Sequence, residues 1–323
     1  MPIVPQNIPK PQQNRTEIGV RSLTQSNQPA ALKKGGKKAR SGKAKDAASS
    51  GLDRVSREEQ NLLIEEVGED PRHRRGPGSD HYDDLEPAAG HATTMMRRQG
   101  RAFRIDDDGR TLPPHFSEVE QGNLQDAWLL ASLAAVATAQ PAALLQRVKA
   151  GRNERFMVRL DQRTYPVSPE FPSEGYAQPE PKGQTDTLWV ALFEKAFALE
   201  SACSYAELEA GNPAQALARL VTGETRRHRV RTNVEAGEQL TQLRAYRSGE
   251  HPMVLISRTS NVSSPFVADH AYAVVDVTAT GEVALYNPWG TRRGTRSLDS
   301  VLHRMPWDEA RSAFEFLYVG GMI

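Results

Sequence analysis

A histidine opens the apolar stretch Asp269-His270-Ala271-Tyr272-Ala273-Val274-Val275, and seventeen residues on an asparagine closes the next one, at Tyr286-Asn287-Pro288-Trp289-Gly290. Two consecutive antiparallel strands would set His270 and Asn287 side by side. The asparagine carbonyl then accepts from one imidazole nitrogen and leaves the other facing a cleft, the arrangement a proton carrier needs. A histidine alone at a strand start is more often structural. A second stretch offers something for such a base to serve. Gln121-Gly122-Asn123-Leu124-Gln125-Asp126 is a polar turn that runs straight into the apolar Ala127-Trp128-Leu129-Leu130-Ala131-Ser132-Leu133-Ala134-Ala135-Val136. That pattern predicts a loop delivering the chain to the N-terminus of a buried helix. Unpaired backbone N–H groups and the positive end of the helix dipole gather there, so the junction suits a thiolate or an oxyanion. The residue at that junction, Ala127, carries no reactive atom.

The elements that must position these residues are legible in outline. Phe156-Met157-Val158-Arg159-Leu160 and Thr164-Tyr165-Pro166-Val167 read as two short strands joined by a tight turn, and Leu188–Glu200 and Ala214–Leu220 as helices. One amphipathic helix around Ala236–Ala245 then gives way to strands over 253–257, 271–277, 283–286 and 314–319. A helix-rich half followed by a strand-rich half predicts an α+β protein of two lobes with a cleft between them. The boundaries expected are a disordered basic region at 1–50 and a linker with one short helix, over Leu52–Val67, at 51–96. A helix-rich lobe at 97–225 and a β-rich lobe at 226–323 follow. The acidic run Asp106-Asp107-Asp108-Gly109 lacks the ligand spacing of a calcium loop and is expected to be a turn.

Composition narrows the function classes. The chain has 323 residues, enough for a sizeable core, and its 41 lysines and arginines against 40 aspartates and glutamates favour no charged partner overall. The basic run over Lys33–Arg40, continued by Lys43 and Lys45, has no interleaved aromatics to stack on bases, so no nucleic-acid partner is expected. The single cysteine, Cys203, excludes an internal disulfide framework and a cysteine-based zinc site. No apolar run is long enough to span a membrane, and the N-terminus lacks the pattern of a secretory signal peptide. Residues 1–30 are polar and rich in Gln, Asn, Pro, Ser and Thr, a composition that some bacterial secretion systems export uncleaved. The expected location is the cytoplasm or the exterior, reached without a cleaved signal.

Taken together, the blocks resemble a known family. Gln121-Gly122-Asn123-Leu124-Gln125-Asp126-Ala127-Trp128-Leu129-Leu130-Ala131 is similar to the active-site block of the calpain-type cysteine proteases, whose nucleophile falls at position 127. His270-Ala271-Tyr272-Ala273-Val274 is similar to their histidine block and Asn287-Pro288-Trp289-Gly290 to their asparagine block. Leu188-Trp189 with Leu192, Glu194-Lys195-Ala196-Phe197 and Ser204-Tyr205 resembles the helix behind the cleft, and Leu220-Val221-Thr222-Gly223 the end of the first lobe. The similarity spans about residues 100–323 and implies a papain-like, calpain-like protease core.

The resemblance implies roles as well. A cysteine at 127 would attack a peptide carbonyl as the thiolate, and His270 would deprotonate it and then protonate the leaving amine. Asn287 would orient the imidazole, and Trp289 would shield that hydrogen bond. Gln121 would donate its side-chain amide to the oxyanion together with the backbone N–H of residue 127. Gly223, Asp269 and Trp289 would line the substrate side of the cleft. The partner implied is a protein or peptide substrate, with self-cleavage in the N-terminal region expected as well. The family's acidic calcium loops are not recognisable, so no cofactor and no metal are carried over.

Several positions depart from the family pattern. Gln125 stands where glycine is usual, Asp269 replaces the glycine before the histidine, and Glu224 follows Gly223 where a second glycine is common. Ala127 removes the nucleophile, and losing one member of such a unit costs on the order of a million-fold in rate. Cys203 lies in a segment the family uses for packing and is no substitute. Two accounts of the alanine are open: a substitution made to disarm an active endopeptidase, and a natural pseudoprotease that binds peptides. The completeness of the remaining machinery, with Gln121, His270, Asn287 and Trp289 all present, favours the first. A bacterial secreted effector is the expected setting, and a papain-fold acyl transferase is a further alternative.

Overall fold

The apolar run after Asp126 forms helix α1, Ala127–Ala139, and nearly every residue of it from Trp128 to Ala139 is buried. A helix apolar all round must be covered on all sides, and α1 is. The computed structural model describes residues 95–122, 124–172, 187–201, 204–291 and 296–322. The basic region 1–50, the helix expected over Leu52–Val67 and Cys203 lie outside these ranges.

Around α1 the first part of the chain is mostly helical. Helix α2, Pro141–Leu145, follows α1 directly, with proline at its first turn. Strand β1, Met95–Arg97, is set out before α1 in the chain and pairs later with β5. Strands β2 (Val148–Ala150), β3 (Phe156–Leu160) and β4 (Arg163–Val167) form a small antiparallel sheet in the order β2-β3-β4. Strand β5, Glu170–Pro172, then pairs antiparallel with β1. Helix α3, Trp189–Glu200, is buried from Trp189 to Leu199, Glu194 and Lys195 included. Lys195 is tolerated inside because its ammonium donates to Ser168 Oγ at 2.9 Å and to the Glu170 carbonyl at 2.8 Å. Helix α4, Pro213–Leu220, starts at an Asn212 cap whose Oδ1 accepts from Ala214 N at 3.0 Å. Both α3 and α4 pack on α1.

The remainder is built on one antiparallel sheet. Strand β6 is Glu224–Arg229, helix α5 Ala236–Ser248, and strands β7, β8, β9 and β10 are Met253–Ser257, Ala271–Val277, Glu282–Tyr286 and Leu302–Pro306. A short helix α6, Trp307–Ala310, leads into β11, Phe314–Met322. The sheet order is β10-β9-β8-β7-β11-β6. Both faces of β8 are buried, so its sequence does not alternate between apolar and polar. Ala271, Ala273 and Val275 join the core that contains α1, while Tyr272, Val274 and Val277 join a second core with Leu243 and Tyr246 of α5 and Trp307 of α6. The small side chains therefore face the helix, which allows its backbone to approach the sheet closely. A register shift between Val274 and Asp276 reverses the alternation, which puts Val277 in the second core, opposite Val283.

The helix-rich and strand-rich parts expected from sequence are both present, and the chain is α+β. Strands β6 and β10 escaped the sequence reading. Both are edge strands whose charged residues, such as Arg226, Arg227, Arg229 and Arg304, leave no apolar pattern. The acidic run at 106–108 forms a turn, with Gly109 N donating to Asp106 O at 3.0 Å and Asp106 N to Arg110 O at 2.9 Å.

The start of α1 is pinned by Trp128, whose indole N–H donates to the Leu208 carbonyl at 2.7 Å and whose ring meets Phe197 edge-on. Gly211 leaves the room for this ring, since a Cβ there would fall 2.2 Å from Trp128 Cε2. Gly211→Ala is expected to destabilise the fold by about 1–3 kcal/mol through overpacking, read as a lowered denaturation midpoint.

Candidate active site

Strands β8 and β9 pair antiparallel, with Ala273 opposite Tyr286, so the residue before β8 and the residue after β9 come together. These are His270 and Asn287, both buried. His270 Nε2 and Asn287 Oδ1 are 2.9 Å apart. The backbone N–H of Trp289 also points at Oδ1, at 3.0 Å, and a backbone N–H can only donate. The atom is therefore an acceptor, Nε2 must carry the proton, and Nδ1 is the imidazole's free basic nitrogen. Trp289 lies against the histidine with ring centroids 4.9 Å apart, and Tyr272 meets it edge-on at 5.1 Å.

The backbone around His270 is held from β7. Ser257 Oγ accepts from His270 N at 2.9 Å, and Ser257 N donates to His270 O at 2.9 Å. Asp269 sits in the left-handed region, at φ 52°. Glycine adopts that conformation freely and aspartate tolerates it, which accounts for an aspartate standing where glycine is usual. Burial pulls the His270 pKa down, against the hydrogen bond to Asn287 and the negative charge of Asp269, which both raise it. The imidazole is thus biased toward the neutral form that can take a proton.

The segment before α1 is stitched to the segment after β9. Gln121 N donates to Pro288 O at 2.8 Å, Tyr286 Oη to Val119 O at 2.7 Å, and Thr291 Oγ1 to Glu120 Oε1 at 2.5 Å. Gly290, at φ 61°, permits the close approach, because a Cβ there would lie 2.7 Å from Glu120 Cγ and 2.9 Å from Val119 O. Gln121 thereby reaches the asparagine turn, and its side-chain amide donates to Leu124 O at 2.6 Å. Ala127 is the first residue of α1, partly buried against the core that α1 shares with Ala271 and Ala273. What the arrangement holds is a basic nitrogen with a fixed tautomer, a glutamine whose backbone is tied to the asparagine turn, and a helix N-terminus packed on the same core.

A family model described as calpain family cysteine protease matches residues 112–303, more than half of the chain and the stretch that contains all of these residues. The chain belongs to the calpain family of cysteine proteases. Its α+β arrangement is that of a papain-like core. No curated protein matches the chain. Membership of this family implies protein substrates, and among the described residues no helix is long and apolar enough to cross a membrane.

The structure gathers His270, Asn287, Trp289 and Asp269 into one cluster and ties Gln121 to it through Pro288. Gly223 lies at φ 100° against the backbone of β11, where a Cβ would fall 2.6 Å from Met322 O. Gln125 is exposed in the turn before α1. Sequence reasoning passed over Ser257, which lies thirteen residues before the histidine and is brought to it only by strand pairing. It also passed over the buried carboxyls of Glu120 and Asp126, although Asp126 lies within the recognised block and Glu120 immediately precedes it.

If the Asn287 carbonyl supports the charged imidazole, removing it while keeping the site closed must lower the histidine pKa further. Asn287→Leu is expected to move the His270 titration to lower pH, followed by NMR of the ring protons. A midpoint that stays or rises would contradict the assigned hydrogen bond.

Proposed function

We propose that this chain is the scaffold of a calpain-like endopeptidase working through a Cys-His-Asn triad, held inactive by alanine at the nucleophile position. The observation that carries the reading is the His270–Asn287 hydrogen bond, which leaves Nδ1 as the free base on a hairpin that packs against α1. With cysteine at 127, Nδ1 takes the thiol proton and the sulfur attacks the peptide carbonyl carbon, whose oxygen becomes an oxyanion. The Gln121 amide and the N–H of residue 127 receive that oxyanion. As the intermediate collapses, the imidazolium gives its proton to the leaving amine and a thioester remains. Water, deprotonated by the same Nδ1, then cleaves the thioester and restores the thiol. Trp289 covers the His270–Asn287 bond from solvent, while the backbone at Asp269 and Gly223 lines the substrate side.

The direct test is to restore the sulfur. Ala127→Cys is expected to cleave unstructured protein substrates, or its own residues 1–100, at a rate at least about a thousandfold above the parent. Adding His270→Ala to that variant should abolish the gain. An Ala127→Cys protein with no turnover on peptide libraries or on itself, combined with measurable peptide affinity in the Ala127 form, would instead assign the cleft to a pseudoprotease binding module.

The polar composition of residues 1–30 supports export of this enzyme as a bacterial effector acting on another cell's protein. Fusing residues 1–100 to a passive reporter tests this. Secretion-system-dependent appearance of the reporter outside the cell is expected, and strict retention would remove the effector reading while leaving the protease reading intact.

A further inference from the structure

Asp126 stands at the N-cap of α1, where an aspartate ordinarily accepts from the first free N–H groups of the helix. Its carboxyl makes no such bond. It is instead completely buried. Capping therefore does not explain why a carboxyl is kept inside the protein one residue before the nucleophile position.

What it does meet is the oxyanion-binding amide. A glutamine side chain has two N–H donors. One Gln121 N–H is committed to Leu124 O at 2.6 Å. The amide nitrogen also lies 3.5 Å from Asp126 Oδ1, at the outer limit of a hydrogen bond. That long, weak contact is the one an arriving oxyanion can replace. Gln121 Oε1, buried in the same place, has no hydrogen-bond partner among the described residues, and the Asp126 carboxyl has only Glu194 as a further side-chain neighbour, too loosely placed to satisfy Oδ2. The arrangement is thus incompletely satisfied, as expected of groups whose bonds are meant to change.

We propose that Asp126 is a positioning residue for the oxyanion-binding amide: its ionised carboxylate draws the second Gln121 N–H inward, and its protonated form releases that N–H to the cleft. A carboxylate accepts hydrogen bonds about twice as strongly as a neutral group, so the two forms compete differently with an oxyanion. Burial pushes the Asp126 carboxyl up to about 7, against hydrogen bonding with Glu194 and with its own backbone, while the charge of Glu209 adds to the rise. Both forms are therefore present near neutral pH. Two acidic groups among the described residues act on it: Glu194 from α3, which hydrogen-bonds to it and so carries the shared proton when Asp126 is ionised, and Glu209 from the turn over Ala206–Glu209, which acts by its charge. Lys195, next in sequence to Glu194, is directed to Ser168 and Glu170 instead.

The inference rests on the oxyanion role given to Gln121, so the main measurement needs no cysteine and no turnover. In the Ala127 protein, the side-chain amide resonances of Gln121 are followed by NMR from pH 5 to 9. They are expected to move with a midpoint near 7, and in Asp126→Asn to stay fixed. Resonances that do not move, or that move identically in Asp126→Asn, would overturn the proposal. Should Asp126→Asn not fold, the Asp126 carboxyl itself is titrated in Gln121→Ala. Losing a donor to the charged form must raise its midpoint, and an unchanged midpoint overturns the proposal equally. In the Ala127→Cys background, Asp126→Asn is expected to retain at pH 8.5 the kcat that the single variant loses above pH 7, by up to about a hundredfold, with KM little changed. A flat amide titration in an active Ala127→Cys enzyme removes this proposal alone, whereas an inactive Ala127→Cys enzyme with a normal titration removes the protease reading instead.

Discussion

The site exists because residues 119–121 and 286–291 are bonded to each other. A backbone bond from Gln121 to Pro288 and a tyrosine hydroxyl on the Val119 carbonyl hold two segments that are about 167 positions apart in the chain. Helix α1 and the hairpin that presents His270 already share one core, and these bonds fix the segment entering the helix against the turn that follows Asn287. Gly290 is the steric condition for this contact, since any side chain there would push Glu120 and Val119 away. Gln121 and His270 are therefore positioned by one shared seam rather than by independent loops.

Helix α1 completes that arrangement by having no free face. It lies between α3 and α4 on one side and the alanine-lined face of β8 on the other, so its N-terminus cannot shift without disturbing both. Interiors packed this closely change by discrete rearrangement rather than by gradual deformation. The same burial removes water from the acidic groups near the start of the helix. Their ionisation then becomes part of the design of the site rather than a property of the surface.

The chemistry of the site was legible in the sequence where it depended on local pattern. The helix start at Ala127, the strand starting after His270 and the strand ending before Asn287 were all readable from the alternation of polar and apolar runs. Their mutual placement was readable only because the two strands are consecutive. What depended on tertiary pairing was not legible. Ser257 carries no motif and acquires its meaning from the strand it lies beside. The edge strands β6 and β10 bury too little to show a pattern, and nothing local in the sequence shows that the Asp126 carboxyl is buried without capping the helix.

The sheet order has a consequence for how the molecule is assembled. Strand β11 is inserted between β7 and β6, although it follows both by many residues. The β8–β9 hairpin that presents His270 and Asn287 can form from neighbouring residues at little cost in chain entropy. The sheet beneath it, however, stays split into two unpaired pieces until residues 314–322 arrive and close the gap. During synthesis, the base and its partner would thus be made early but left on an open platform. The complete sheet has to wait for a strand that touches neither His270 nor Asn287.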